Sequence, residues 1–360
     1  MTLRSSLLSV TLLAGAQFAY AHTAFAEVPN VVTDMAPIDS LVVQVMGDLG
    51  TPKTLMPQGA SPHGYSLRPS EAKALQAADI VFWTGPRVEP WLDEMIDEVA
   101  TEAHSVPLSL AEGAIILPLR EGATFERHVH GDDEHDHDHD EAGHDDHDDH
   151  DHAEEAHDDH DHDEHEHEEA HDHDHDDDHD HGDEHGDLSH TDGHAWLDPM
   201  NARVWLGVIA EELSEHDPEN AATYAANAAA GQAALDEQIA RVQAELAPIS
   251  DLRFIVFHDA FQYFENRFGL QAAGSISLSD ATAPSPARVK EIQDKIKSEG
   301  VTCVFSEPQF NAGLVATVLD GTEAKTTVID PLGVSLTPGA GFYSDLIDAA
   351  AEAFKTCASE

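Results

Sequence analysis

The chain has 360 residues, with 71 Asp and Glu against 17 Lys and Arg, a formal net charge of −54, 27 His and two Cys. A phosphate backbone repels such a surface, so nucleic acid is excluded as the natural partner. The length suggests about two ordinary domains, and 41% apolar residues suffice for their cores, which excludes a wholly disordered chain.

The first residues read as an export signal. Arg4 supplies a positive start, Leu7 to Ala16 form an apolar stretch, and small residues follow at A-x-A spacing. Cleavage after Ala26 is preferred, because the mature chain then begins Glu27-Val28-Pro29; cleavage after Ala21 fits as well. Residues 1–26 are therefore expected to be a signal peptide. No Cys lies nearby to carry a lipid anchor, and no later apolar run approaches the ~18–20 residues that span a bilayer, so a soluble periplasmic protein is expected.

Strand and helix then alternate: strand 31–34, helix 37–48 with Pro at its start, strand 53–56, helix 70–78, strand 79–83 and helix 90–103. Such alternation predicts βαβ units on a parallel sheet. Residues 131–187 then intervene, with 31 acids, 18 His, four Gly and four Ala and nothing else. With no aliphatic larger than Ala, the stretch has no apolar surface to offset the entropy of ordering, so 128–190 is expected to be a disordered insertion in the first lobe. Structure is expected to resume at Gly193. An Ala-rich run from Pro218 to about Leu246 reads as a rigid connecting helix on the order of 40 Å long. The second lobe repeats the grammar of the first: strand 253–257, helix 260–267 stopped by Gly269, helix from Ser285-Pro286 to Gly300, strand 301–305, helix 311–319, strand 326–329 and helix 344–357. The expected fold is α/β, with two Rossmann-like lobes joined by a long helix. They occupy 27–216 and 249–360, with the connector at 217–248.

Outside the insertion and the leader five His stand: His63, His104, His194, His216 and His258. His63 and His258 follow strands, and His194 sits where the ordered chain re-enters the fold. Open α/β sheets build ligand sites outside the carboxyl ends of their strands, so these three can converge from two lobes. Asp330 ends the strand 326–329 at the same edge, and Glu307 after strand 301–305 is a weaker candidate. Three imidazoles with a carboxylate or water form a zinc-like tetrahedral set. His104 and His216 read as surface residues. The insertion, mixing imidazole with carboxylate, should hold several divalent ions weakly and lose them below about pH 6. Cys303 and Cys357, in an oxidising compartment, are expected to form a disulfide; the alternative, a pair of metal thiolates, lacks a neighbouring Cys or His at zinc-finger spacing. His167-Glu168-Glu169-Ala170-His171 matches a zinc-protease pattern, as chance allows in a run built of His and Glu. Ser70-Glu71-Ala72-Lys73 is better explained by Ser70 capping a helix.

Four motifs carry a resemblance: Gly59-Ala60-Ser61-Pro62-His63-Gly64-Tyr65-Ser66-Leu67-Arg68-Pro69-Ser70, Gly193-His194-Ala195-Trp196-Leu197-Asp198-Pro199, Phe257-His258-Asp259-Ala260-Phe261, and Ile329-Asp330-Pro331-Leu332-Gly333. With the acidic His-rich insertion and the Cys pair, the chain resembles the periplasmic zinc-binding components of bacterial ABC zinc importers, within the metal-binding cluster of solute-binding proteins. The resemblance implies two α/β lobes with Zn²⁺ buried between them and His63, His194 and His258 as ligands. Many members place Glu just before the first ligand, where this chain has Pro62, so the fourth position falls to Asp330 or to water. The implied partners are an inner-membrane ABC permease with its cytoplasmic ATPase, and periplasmic zinc chaperones, around a monomer that is not an enzyme. Two other classes fit three imidazoles: a secreted zinc hydrolase, for which no general-base motif stands out, and a stand-alone periplasmic metal buffer.

Overall fold

The computed structural model describes residues 28–120, 122, 124–125, 188, 190–277 and 284–359. The expected signal peptide and the expected insertion 128–190, apart from Leu188 and His190, lie outside the described residues; the ordered chain resumes before Gly193, with His190 O accepting the Leu119 N–H and Thr191 bridging to Pro118.

In the first lobe, β1 (Val31–Thr33) leads to α1 (Ala36–Met46), β2 (Lys53–Thr54), α2 (Pro69–Gln76), β3 (Ile80–Trp83), α3 (Pro90–Val99) and β4 (His104–Pro107). These strands form a parallel sheet in the order β2-β1-β3-β4, with Val31 opposite Ile80 and Ile80 opposite His104. Each residue of β1 and β3 is buried, as befits central strands covered on both faces. Helix α1 starts with Pro in its first turn and buries Ile38, Leu41, Val42 and Val45 at helical spacing. Two expectations need correction. Helix α3 ends at Val99 rather than near 103, and the residues after it form the edge strand β4. Ser70 lies inside α2, whose start is secured by the Glu71 carboxylate accepting the Arg68 backbone N–H at 2.7 Å.

The chain re-enters through α4 (Pro199–His216), a helix absent from the expectation, and turns at residues 217–220 into α5 (Ala221–Leu246). Asp217 stops α4 and accepts from Asn220 and from the Tyr224 hydroxyl at 2.7 and 2.8 Å. Gly231 lets α5 approach closely, since a Cβ there would meet Leu206 Cδ1 at 2.8 Å. Farther along, Gln238 donates to Ser344 O and Asp348, placing the second half of α5 against α9 (Phe342–Ser359). Helix α5 therefore touches helices of both lobes, as a connector must.

The second lobe continues with β5 (Phe254–His258), α6 (Gln262–Phe268), β6 (Gly274–Ser277), α7 (Pro286–Glu299), β7 (Cys303–Ser306), α8 (Ala312–Leu319) and β8 (Lys325–Val328) before α9. Its parallel sheet, β6-β5-β7-β8, repeats the strand order of the first. Strand β6 is a second edge strand that the expectation lacks. Cys303 on β7 is disulfide-bonded to Cys357 on α9. One apolar cluster runs from Val31 and Leu41 in the first lobe through Trp205 and Leu246 to Phe254 and Phe354 in the second, so the lobes share a core.

Candidate metal centre

His63 lies in a single 3-10 turn, Pro62–Gly64, in the loop after β2. The turn is pinned by the Trp91 indole, which donates to Pro62 O at 2.7 Å, and it is only half-buried. His194 precedes the 3-10 turn Ala195–Leu197 and is 8% exposed. His258 is the last residue of β5, rather than the first after it, and is 6% exposed.

The three side chains meet. His194 Nε2 is 3.3 Å from His63 Nε2 and 3.3 Å from His258 Nε2. Among the described residues, the group of His, Cys, Asp and Glu whose ligand atoms all lie within 4.8 Å of one another is His63, His194 and His258. With zinc–nitrogen bonds of 2.0–2.1 Å, a 3.3 Å spacing subtends about 107° at the ion, close to tetrahedral.

Two carboxylates aim the rings. Asp192 Oδ1 accepts from the His194 backbone N–H at 3.0 Å and from Nδ1 at 2.7 Å; Glu307 Oε1, just past β7, accepts from His258 Nδ1 at 2.8 Å. With the carboxylate oxygens as acceptors, each Nδ1 carries the proton and each Nε2 turns its lone pair inward. Burial pushes the Asp192 carboxyl up to about 7, against the lowering pull of the His194 backbone N–H and of Arg120. Arg120 is itself held firmly charged: burial opposes its charge, but Glu265 and Asp259 outweigh that, and it hydrogen-bonds both. Around the Nε2 atoms lies a cavity of about 260 Å³ whose lining includes Pro62, Trp196, Phe310 and Leu332.

Asp330 is placed differently. Its Oδ1 accepts from the Gln309 amide at 2.8 Å and the Leu332 backbone N–H at 3.0 Å, and its Oδ2 from the Val334 N–H at 2.6 Å. Its carboxylate braces the turn at Pro331, and the structure does not bring it into the ligand group. His104 and His216 lie near each other, away from this centre. Asp192 is a site residue that sequence reasoning missed; its signal, an Asp two residues before His194, is hard to distinguish beside so acidic a run.

The family model described as "Zinc-uptake complex component A periplasmic" matches residues 31–357. The high-affinity zinc uptake system protein ZnuA of Brucella suis is 47% identical over 331 residues, covering 92% of this chain and 92% of its own. Its namesake in Paracoccus denitrificans is 46% identical over 353 residues, covering 97% and 98%. A crystal structure of ZnuA superposes with a TM-score of 0.64 at 22% identity, covering 91% of this chain and 98% of that one. The laminin-binding adhesin Lmb of Streptococcus agalactiae gives 0.66 at 20%, covering 91% and 99%. At these identities the structural likenesses establish the two-lobed fold.

Proposed function

The chain belongs to the ZnuA family of periplasmic zinc-uptake components, and from that premise we propose that it captures Zn²⁺ on His63, His194 and His258 and delivers it to an ABC permease for import. The observation that carries this reading is the convergence of three imidazoles, with His194 Nε2 at tetrahedral spacing from each of the other two Nε2 atoms and two of the rings aimed by buried carboxylates. Water takes the fourth place, a reading supported by the three hydrogen bonds that occupy Asp330. Zinc is the cargo: it enters the cavity, is held by neutral imidazoles, and is surrendered when the ligand-bearing segments part. The side chains come from both lobes, so a bound ion favours one lobe arrangement, which the permease reads. Asp192 and Glu307 are engaged in orienting ligands, which favours a carrier over a hydrolase.

The acidic His-rich stretch, by composition, holds further Zn²⁺ loosely and collects or senses it. The leading residues 1–26 address the chain to the periplasm, where it works as a monomer with the permease and its ATPase and exchanges zinc with periplasmic chaperones. Competitive zinc titration tests the assignment on three proteins: the mature chain, a deletion of residues 131–187, and His63→Ala. The deletion keeps the tightest site, and His63→Ala weakens it by more than the ~10–100-fold typical of losing an orienting partner. Loss of the tightest site in the deletion, or its survival unchanged in His63→Ala, overturns the reading.

A further inference from the structure

Arg120 joins the first-lobe chain to the turn that follows His258. It stands at the end of a short antiparallel pair in which the Leu119 N–H donates to His190 O and the Asp192 N–H to Leu117 O, both at 2.8 Å, two residues before His194. Its guanidinium crosses to the second lobe. There Nε donates to Asp259 Oδ2 at 2.9 Å and Nη1 to Glu265 Oε2 at 2.7 Å, while Nη2 serves the other oxygen of each carboxylate. The guanidinium carbon lies 4.1 Å from the centre of the Phe125 ring. Asp259 follows His258 directly, in the turn closed by the Ala260 N–H donating to His258 O at 2.9 Å. Glu265 sits on α6 and also accepts the Ala272 N–H at 2.9 Å, just ahead of β6.

We propose that Arg120 is a positioning residue for zinc capture, which keeps the His258 backbone in place by clamping Asp259 and Glu265 in one fork. The inference rests on the three-imidazole reading of the centre and adds to it a residue that acts through the backbone rather than by coordination. Glu307 aims the His258 ring, but the aim holds only while the Cα is fixed, and the turn after β5 is where the strand can give. Asp259 and Glu265 are carboxylates on either side of that turn, with side chains 13% and 2% exposed, and Arg120 is the cation that bonds both. Without it two like charges face each other with little water to screen them. Glu265 stays, held by the Ala272 N–H. Asp259, whose hydrogen bonds among the described residues all come from Arg120, turns to solvent and draws the carbonyl end of His258 with it. A Lys does not replace the fork, since a guanidinium presents five donors in a plane and an ammonium a single point of charge.

Zinc competition on the full-length chain, together with the imidazole N–H resonances of the zinc-free protein, tests this. In the wild type the His258 Nδ1–H, bonded to Glu307, gives a low-field signal. In Arg120→Met the tightest zinc site weakens by about tenfold or more, as for loss of an orienting group, and that signal is lost to exchange. Arg120→Lys, which keeps a charge and guards against a variant that fails to fold, shows the same changes to a smaller degree. Adding Asp259→Asn to Arg120→Met removes the repulsion and recovers part of the affinity. The disulfide-free variant, Cys303→Ala with Cys357→Ala, sets the baseline for a general loss of stability, and it keeps both the signal and the affinity. The proposal is overturned if either Arg120 variant binds zinc as tightly as the wild type while His258→Ala does not, or if the disulfide-free variant loses signal and affinity as fully as Arg120→Met. Wild-type affinity in His258→Ala would instead remove the three-imidazole reading, and this proposal with it.

Discussion

Glu307 is the sharpest probe of how the cleft is built. Its Oε1 accepts from His258 Nδ1 at 2.8 Å and from the His258 backbone N–H at 3.3 Å, and the residue is 4% exposed. Glu307→Leu fills similar space and removes the acceptor, freeing the ring to take the other tautomer and turn Nε2–H toward the ion. Loss of an orienting partner costs about 10–100-fold in metal affinity, or about 1.4–2.7 kcal/mol. Glu307→Gln keeps a carbonyl oxygen at the same reach and loses only the charge, so the lower end, about tenfold, is expected for Gln and the upper end for Leu. Competition against a chromophoric zinc chelator measures both, with urea unfolding recorded separately because the stranded N–H groups cost about 1–3 kcal/mol of stability. Wild-type affinity in Glu307→Leu would mean that β5 alone positions His258. A loss in Glu307→Gln as large as in His258→Ala would make Glu307 itself a ligand, through the Oε2 that makes no hydrogen bond.

Asp330→Ala leaves the Gln309 amide and the Leu332 and Val334 N–H groups without their acceptor, so it lowers stability by about 1–3 kcal/mol in urea while zinc affinity changes little; a loss equal to that of His63→Ala would identify Asp330 as the fourth ligand. Removing the disulfide with Cys303→Ala and Cys357→Ala frees a loop with a sequence separation of 54, which chain entropy values at about 4 kcal/mol, read as a lower guanidinium midpoint with zinc affinity preserved. Glu89→Gln tests a buried acid pair: burial, then the charge of Asp34, pushes the Glu89 carboxyl well up. Above its unfolded value of about 4.3 the native chain then binds more protons than the unfolded one, so wild-type stability falls as pH rises through that window. The Gln variant lacks this loss and should melt higher than wild type at neutral pH but alike in acid; parallel pH profiles would refute the argument.

The central strands β1, β3, β5 and β7 were legible because residues covered on both faces must be apolar without interruption. Strands β4 and β6 were not: His104-Ser-Val-Pro and Gly274-Ser-Ile-Ser each carry one large apolar residue, which is enough at a sheet edge but gives no periodic signal. Helix α4 has a clear start in Asp198-Pro199, with the Asp198 side chain accepting the Met200 N–H at 2.8 Å, and apolar residues at Trp205, Leu206, Ile209 and Leu213. A connector read from Pro218 passes it over because the Ala-rich run beyond is the louder helical signal. The proposed ligands His63, His194 and His258 stand out by scarcity, since few His lie outside the acidic stretch. Their meeting depends on strand ends that spacing alone does not locate. Asp330 satisfied the same strand-end rule, yet its carboxylate turned to the local backbone, as an Asp beside a tight Pro turn readily does. His104 and His216 are separately unremarkable surface residues, and only the register of β4 beside β3, with the length of α4, sets them together.

His194 is a first-lobe residue in sequence, but the second lobe holds it. Tyr263 donates to Asp192 O at 2.8 Å, Trp196 Nε1 donates to Pro331 O at 2.9 Å, the Tyr343 hydroxyl donates to Trp196 O at 2.7 Å, and Arg267 pairs with Asp198 at 2.8 Å. His194 and His258 are thus fixed on one body, both buried and both aimed by a carboxylate. His63 comes from the other side on a half-buried turn, whose loop is joined to the second lobe where Gln58 donates to Gly333 O and Leu336 O at 2.6 and 2.7 Å and Gly59 packs on Val334. On the proposed reading, opening the site would break the Gln58 bonds and withdraw one imidazole, leaving the other two in place. The consequence is a graded ligand series. His194 neighbours both other imidazoles at 3.3 Å and is aimed by Asp192, so His194→Ala removes the ring that the other two share and reduces zinc affinity more than His63→Ala, which leaves an aimed pair. Equal losses in a competition titration would mean that the three ligands act as a symmetric set, and that release does not begin at His63.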